Sequence, residues 1–557
     1  MVKKLLGLLT REVAGLHNAA YLLAFFTILS QVLALVRDRL FAAYFGAGQT
    51  LDIYYAAFKI PDLIFISFAS FVSISVLVPF IVERLKGDDA ALHEFVSTLF
   101  SFFLFLIIVV SAVAYLFIPA LSKILFPGIE GQLLNELILL TRIMLLSPIL
   151  LGISNFFASV TQAYKRFGIY AISPLLYNFG IIIGVVVFYP FMGVAGLAWG
   201  VIAGALMHFL LQVPFVVQKG LFPKLTLVFK FHVIKEVVIL SVGRTLALAS
   251  SNVTTIFLLS IGSLMTVGSI AVFNLSWNLQ SVPLAIVGAS YSVALFPTIS
   301  KHFSDNNREL FIAEMLSAAR HIVFWSLPIT VLFIVLRAQI VRTVLGSGAF
   351  SWSDTRLVAA SLAVFSVSVA AQGLVLLFVR AYYASGRTKI PLFINFISGI
   401  IAIGLSFALW KLYLSAELFR GFFESLLRIE GIPGTEAVML PLGYTIGILF
   451  NLAFFWYAFH HEAKGFSRPL LSTFFQSFSA SVIMGFVSYL GLQWFAGWFN
   501  LETLPGIFMQ GLLAGLLGIG ALIVVLRALG SQELHEVWTT LHHKIWKEKI
   551  IVSEESL

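Results

Sequence analysis

Apolar runs separated by short polar breaks recur along the whole chain, at 18–40, 62–83, 96–118, 137–161, 170–190, 193–217, 236–261, 269–299, 317–341, 356–380, 390–412, 438–459, 469–495 and 504–527. Each is about as long as a helix needs to cross the hydrocarbon layer, which takes about 20 apolar residues. Runs of that length with few charges read as spanning helices rather than strands. The pattern predicts an all-α polytopic membrane protein of about fourteen transmembrane helices.

Composition points the same way. Of 557 residues 60% are hydrophobic and only 11% charged, which excludes a soluble enzyme held by a single anchor. With no cysteine in the chain, disulfides, thiolate nucleophiles and Cys-ligated metals are removed together. The eleven histidines show no H-x-x-x-H spacing, and no phosphate loop, nucleophile elbow or catalytic carboxylate pair is present. No cofactor, no metal and no enzymatic activity are therefore expected. The first apolar run continues without a cleavage site, so it is read as a retained span.

The net charge is +9, but its placement matters more than its sum, and nucleic acid is not the partner it suggests. With the N-terminus inside, 23 of the 35 Lys and Arg fall on the cytoplasmic side, and five more (Arg37, Arg39, Lys59, Arg142, Arg244) sit within or at the mouth of a span. Lys and Arg resist translocation, so both termini are expected in the cytoplasm.

An internal repeat is visible. Val78-Pro79-Phe80-Ile81 recurs as Phe296-Pro297-Thr298-Ile299, and Gln162-Ala163-Tyr164 as Arg380-Ala381-Tyr382, both offset by 218; Pro174 and Asn178 recur as Pro391 and Asn395, offset by 217. An even number of spans separates the copies, so the repeats are parallel. They predict a first six-helix lobe over 1–218, a second over 219–461, two additional spans over 462–528 and a cytoplasmic tail over 529–557. Two such bundles enclose a cleft, the architecture of an alternating-access transporter.

A charge in mid-bilayer costs at least about 2.5–3.5 kcal/mol and needs a partner, water or a purpose. Arg37 and Asp38 end the first span, and Asp52, Lys59 and Asp62 lead into the second. One reading makes Arg37 and Lys59 cations for an anionic substrate, held by Asp38 and Asp52; the other makes the group an interfacial salt-bridge cluster. Arg244, in the seventh span, either faces the cleft near Ser250, Ser251 and Asn252 or snorkels to the interface. Asn274, Asn278 and Gln280 line a wet cavity or bond between helices. Gly196, Gly200 and Gly204 share one helix face and predict close helix packing, as do Gly511 and Gly515. Glu417, Arg420, Glu424 and Arg428 alternate in sign opposite Leu418, Phe422 and Leu426, predicting an amphipathic helix flat on the outer interface. The stretch from Ser531 to Lys549 is expected on the cytoplasmic surface, its lysines near anionic lipid.

From Ser30 to Pro79 the chain carries Arg37-Asp38, Phe45-Gly46-Ala47-Gly48, Asp52, Ala57-Phe58-Lys59-Ile60-Pro61 and Val78-Pro79; Phe126-Pro127-Gly128, Gly196-Leu197-Ala198-Trp199-Gly200, Phe296-Pro297 and Gly348-Ala349-Phe350 follow. These resemble the MurJ/MviN family of lipid II flippases, of the multidrug/oligosaccharidyl-lipid/polysaccharide exporter superfamily. The resemblance implies a multi-pass protein of the bacterial cytoplasmic membrane, involved in peptidoglycan and cell-wall biogenesis. Its implied substrate is a polyprenyl-diphosphate-linked peptidoglycan precursor, with membrane lipids and cell-wall synthesis proteins as further partners and a monomer as the expected state. It also implies a cationic cavity, to which Arg37, Asp38, Asp52 and Lys59 carry over by position. The chain departs from the family at Gln31, at Phe65 and Ile66, and at Asn278, where arginines are usual; Arg244 is the candidate to compensate. Another polyprenyl-linked glycan therefore stays open as substrate, a drug/cation antiporter lacks its mid-span carboxylate in spans seven to twelve, and a non-transporting scaffold requires a closed, apolar cleft.

Overall fold

The structure, a computed structural model, describes residues 16–69, 74–84, 89–226, 229, 231–463 and 466–546. Several terminal and loop cations of the charge count, Lys3, Lys4, Arg11, Lys86, Lys230, Lys464, Lys547 and Lys549, lie outside the described residues. The described residues are helical, with no strand among them. The helices used below are α1 (Leu16–Phe45), α2 (Gln49–Ala69), α3 (Phe167–Ile183), α4 (Val194–Leu210), α5 (Phe231–Ser263) and α6 (Ser269–Leu284). They continue with α7 (Arg308–Val335), α8 (Arg337–Leu345), α9 (Lys389–Ser415), α10 (Glu417–Leu427), α11 (Ser467–Phe495), α12 (Leu504–Ala528) and α13 (Gln532–Trp546).

Among the described residues ten helices are long and apolar enough to cross a membrane, and the pair Trp352–Ser366 and Val369–Ala384, bent by 45°, makes an eleventh. The chain is an integral membrane protein. These eleven coincide with eleven predicted spans. The other three predicted spans, 18–40, 62–83 and 236–261, fall on α1, on α2 with the helix Ile74–Arg84, and on α5. Each of these three runs includes residues or side chains that lie outside the described ones, so the count does not reach them. Among the described residues eleven crossings thus stand on length and apolarity, and the three remaining predicted spans fall on helices as well.

Hydrocarbon offers no hydrogen bonds, so each span satisfies its backbone internally as a helix, and the attraction between helices comes from close packing. The glycine face of α4 supplies it. A Cβ on Gly180 of α3 would lie 2.2 Å from the Gly204 Cα, and one on Gly200 2.4 Å from the Gly184 Cα. The two backbones touch where no side chain fits between them.

The chain divides into two compact units. The first takes the described parts of 1–282, 341–365 and 387–451; its aromatic core sets Phe273 edge-on to Phe365, with ring centroids 5.2 Å apart, and Trp277 against Tyr444 at 4.9 Å. The second takes 283–340, 366–386 and the described parts of 452–557. There Phe378 packs on Phe459 at 5.2 Å, and α13 is tied down through a buried carboxylate. Glu533, 1% exposed, accepts from Arg320 Nε of α7 at 2.8 Å, Thr473 Oγ1 of α11 at 2.6 Å and Ser531 Oγ at 2.8 Å. Burial raises the Glu533 carboxyl's proton affinity, and the bonds from Thr473, Ser531 and Arg320 outweigh it, leaving the group below the ordinary glutamate value.

Candidate functional site

The polar centre of the first unit begins with two neighbours on α1. Arg37 donates from Nε and Nη2 to Asp38 Oδ1 at 3.0 and 2.8 Å, and from Nη1 to Asn178 Oδ1 of α3 at 2.9 Å. Asn178 faces that way because its Nδ2 is turned to the Pro174 carbonyl at 3.2 Å, one turn back on α3, and to Ser30 Oγ at 3.5 Å. The second oxygen of Asp38 accepts from Asn278 Nδ2 of α6 at 3.0 Å. Asp38 is therefore a hub: its side chain is 4% exposed, both oxygens are taken, and it fixes Arg37 and Asn278 at once.

Arg37 is not used up by this. A guanidinium has five N–H donors; three are engaged here, and the side chain keeps 20% of its surface exposed. Phenols surround it. Tyr54 and Tyr55 of α2 and Tyr177 of α3 lie within electrostatic range of the Arg37 guanidinium, and the Tyr55 hydroxyl is buried with no hydrogen-bond partner among the described residues. A buried hydroxyl left unpaired is unfavourable unless something else completes it. Lys59 and Asp62, one turn apart on α2, form a second charged pair in electrostatic contact, and Asp62 reaches Tyr177 electrostatically.

Asp52 does a different job. Its oxygens accept from the backbone N–H of Gly268 at 2.5 Å and Ala271 at 2.7 Å, at the start of α6, where unsatisfied N–H groups and the helix dipole favour a carboxylate. Gly268 has φ +96°, and a Cβ there would meet the Ala47 carbonyl at 2.2 Å, so the approach demands glycine. Arg39 mirrors this at the opposite kind of helix end, donating from Nη1 to the carbonyls of Thr343 at 2.7 Å and Val344 at 3.2 Å in the last turn of α8. The Ala349 N–H adds a bond to the Ala43 carbonyl at 2.8 Å. The turn joining α1 and α2 is thus bonded to the ends of two other helices.

Of the six residues singled out from sequence, the structure brings Arg37, Asp38 and Asn278 into one network and places Lys59 on the adjoining helix beside Asp62. Asp52 binds the start of α6 and does not hold Lys59. Arg244 belongs to α5, and its side chain lies outside the described residues. Sequence reasoning missed Asn178, Tyr54, Tyr55 and Tyr177 as site residues; the repeated Pro174–Asn178 element was the available signal for the first.

Against known proteins, the family model described as Lipid II flippase MurJ matches residues 41–509. That stretch includes Asp52, Lys59 and Asn278 and starts just after Arg37 and Asp38. Lipid II flippase MurJ of Burkholderia cenocepacia is 26% identical over 392 residues, 68% of this chain and 75% of that protein. Probable lipid II flippase MurJ of Thermotoga maritima is 26% identical over 507 residues, 90% and 96% of the two. Among solved structures, an inward-closed lipid II flippase MurJ matches with TM-score 0.72 and 20% identity, over 91% of this chain and 99% of that one. An inward-facing multidrug resistance MATE transporter of the MOP superfamily matches with TM-score 0.63 and 14% identity, over 80% and 96%. The two structural likenesses establish a shared transporter fold, and the family match over 41–509 establishes more: the chain belongs to the MurJ family of lipid II flippases.

Proposed function

We propose that this protein flips lipid II, the polyprenyl-diphosphate-linked peptidoglycan precursor, from the cytoplasmic to the outer leaflet of the bacterial inner membrane without catalysing a reaction. Both termini lie in the cytoplasm, and the two six-helix lobes, 1–218 and 219–461, alternate access to the head group while the tail stays in lipid. Arg37 carries this reading. A diphosphate offers acceptors for charge-assisted bonds, the strong kind, and Arg37 presents two spare N–H donors from a fork held rigid by Asp38 and Asn178. Tyr55 supplies a further unpaired hydroxyl. In the orientation favoured by the lysines and arginines, the turn between α1 and α2 faces outward. The bonds of Arg39 and Asp52 to helix ends there support a state closed to the outside.

One observation favours a second reading. Asn278 occupies a position where the resemblance expects arginine, and it is satisfied by Asp38, so Arg37 faces the ligand with fewer cations than the family pattern supplies. That arrangement suits another polyprenyl-linked glycan whose recognition rests more on its sugars.

The test is the accessibility of newly made lipid II at the outer leaflet of cells depleted of their own flippase and supplied with this chain or its Arg37→Ala variant. Restoration by the wild type and loss in a correctly inserted variant is the expected outcome. Failure of a well-inserted wild type refutes lipid II as substrate, and full activity of Arg37→Ala refutes the role given to the cation.

A further inference from the structure

The helix α10 leaves α9 with a break at one residue, Ala416, and ends at Arg428, which takes a left-handed conformation with φ +59°. Its eleven residues lie between the end of one span at Ser415 and the start of the next at Thr435, which puts it at the membrane's edge. Its surface is inverted for a helix in water. Leu418 is 89% exposed and Phe422 and Leu426 each 59%, and these three follow at intervals of four, one above another on a single stripe.

The polar side is what the protein holds. The Tyr413 phenol of α9 donates to Glu424 Oε1 at 2.7 Å, and the Thr435 hydroxyl donates to the same oxygen at 3.0 Å; Tyr413 and Thr435 are both buried. Arg356 donates from Nε to the Arg428 carbonyl at 2.9 Å, fixing the far end of the helix. Glu417 and Arg420 pair along the helix at 3.8 Å. The mount sets the rotation of α10, and the rotation presents the stripe outward.

We propose that α10 is a membrane-interface anchor, inserted into the leaflet where α9 and the following span meet, and that Tyr413, Glu424 and Thr435 fix which face enters the lipid. In the orientation given above that leaflet is the outer one, but the proposal does not depend on what the protein transports. The occupant is the apolar boundary of the bilayer, because the stripe carries no charge and the flanking charges, Glu417 and Glu424 against Arg420 and Arg428, balance. Attraction to anionic head groups has nothing to act on, whereas apolar insertion does.

The absence of native cysteine makes the test clean. Full-length L418C, F422C, L426C and R420C are each spin-labelled and reconstituted in phosphatidylcholine vesicles, and collisions with oxygen and with a water-soluble nickel chelate are compared. The expected result is a severalfold excess of oxygen over nickel accessibility at 418, 422 and 426 and the reverse at 420. The contrast persists unchanged in vesicles containing phosphatidylglycerol. Tyr413→Phe, which keeps the ring and drops the hydroxyl, narrows the difference between 418 and 420 while the protein stays inserted. Equal nickel access at 418 and 420 overturns the proposal, as the stripe then sits in water. Exclusion of both reagents at 418, 422 and 426 overturns it in favour of a protein partner, and a contrast that needs phosphatidylglycerol overturns the apolar mechanism.

Discussion

Holding Arg37 and binding through Arg37 are separable in a double-mutant cycle of Arg37→Gln and Asp38→Asn. Arg37→Gln removes two bonds to Asp38 and leaves a carboxylate with 4% of its surface exposed and only the Asn278 amide as donor. Stranding one partner of a buried ion pair costs about 3–5 kcal/mol. Asp38→Asn strands the better-solvated partner. Arg37 keeps its 2.9 Å bond to Asn178 and one fifth of its surface exposed, so the Coulomb loss is screened and the cost is about 1–2 kcal/mol. The double variant strands nothing, and its loss falls short of the sum of the singles by about 2 kcal/mol, within the range of contacting residues. Reversible unfolding in mixed micelles measures stability, and outer-leaflet lipid II measures transport. The expected pattern is Arg37→Gln less stable than Asp38→Asn, stability partly regained in the double, and no transport in either protein lacking Arg37. Additive stabilities refute the pairing; a double variant that transports refutes Arg37 as a ligand.

Three further outcomes follow from other parts of the structure. Gly180→Ala places a Cβ 2.2 Å from the Gly204 Cα, and overpacking of that kind costs about 1–3 kcal/mol; a thermal melt in detergent equal to wild type removes the claim that α3 and α4 touch by backbone. Asp52→Ala removes the acceptor for the Gly268 and Ala271 N–H groups, a cap worth about 1 kcal/mol, so hydrogen exchange at the start of α6 speeds up about fivefold, and unchanged exchange counts against the cap. Because Glu533 is held below its ordinary value of 4.5, its ionised form stabilises the docking of α13. The stability advantage of wild type over Glu533→Gln is therefore full above about pH 4.5 and is lost as pH falls through the depressed value; an advantage that grows on acidification contradicts the assignment.

The spans and the presence of Arg37 and Asp38 in one of them were legible in the sequence for one physical reason: hydrocarbon makes charge costly, so apolar length and intramembrane charge stand out against their surroundings. The partners were not legible. Asn178 is 141 residues from Arg37, and Gly268 is 216 from Asp52; no local periodicity joins them.

Arg37 and Arg39 show why a charge's presence in a span does not give its role. Two residues on a helix are separated by about 200° around the axis, so these arginines leave α1 on nearly opposite sides. One meets Asp38 and Asn178, and the other meets the carbonyl end of α8. The first keeps donors free for a ligand, while the second satisfies a helix terminus. The repeat makes the same point. Asn178 and Asn395 occupy equivalent positions after equivalent prolines, yet Asn178 orients Arg37 whereas Asn395 Oδ1 accepts from Asn451 at 3.0 Å. The sequence keeps the proline and the amide at both places, and at the first of them the amide meets the Arg37 guanidinium. If Arg37 is the ligand cation proposed above, its hold by Asn178 matters and the Asn395 pair does not, so Asn178→Ala is expected to impair transport where Asn395→Ala is not.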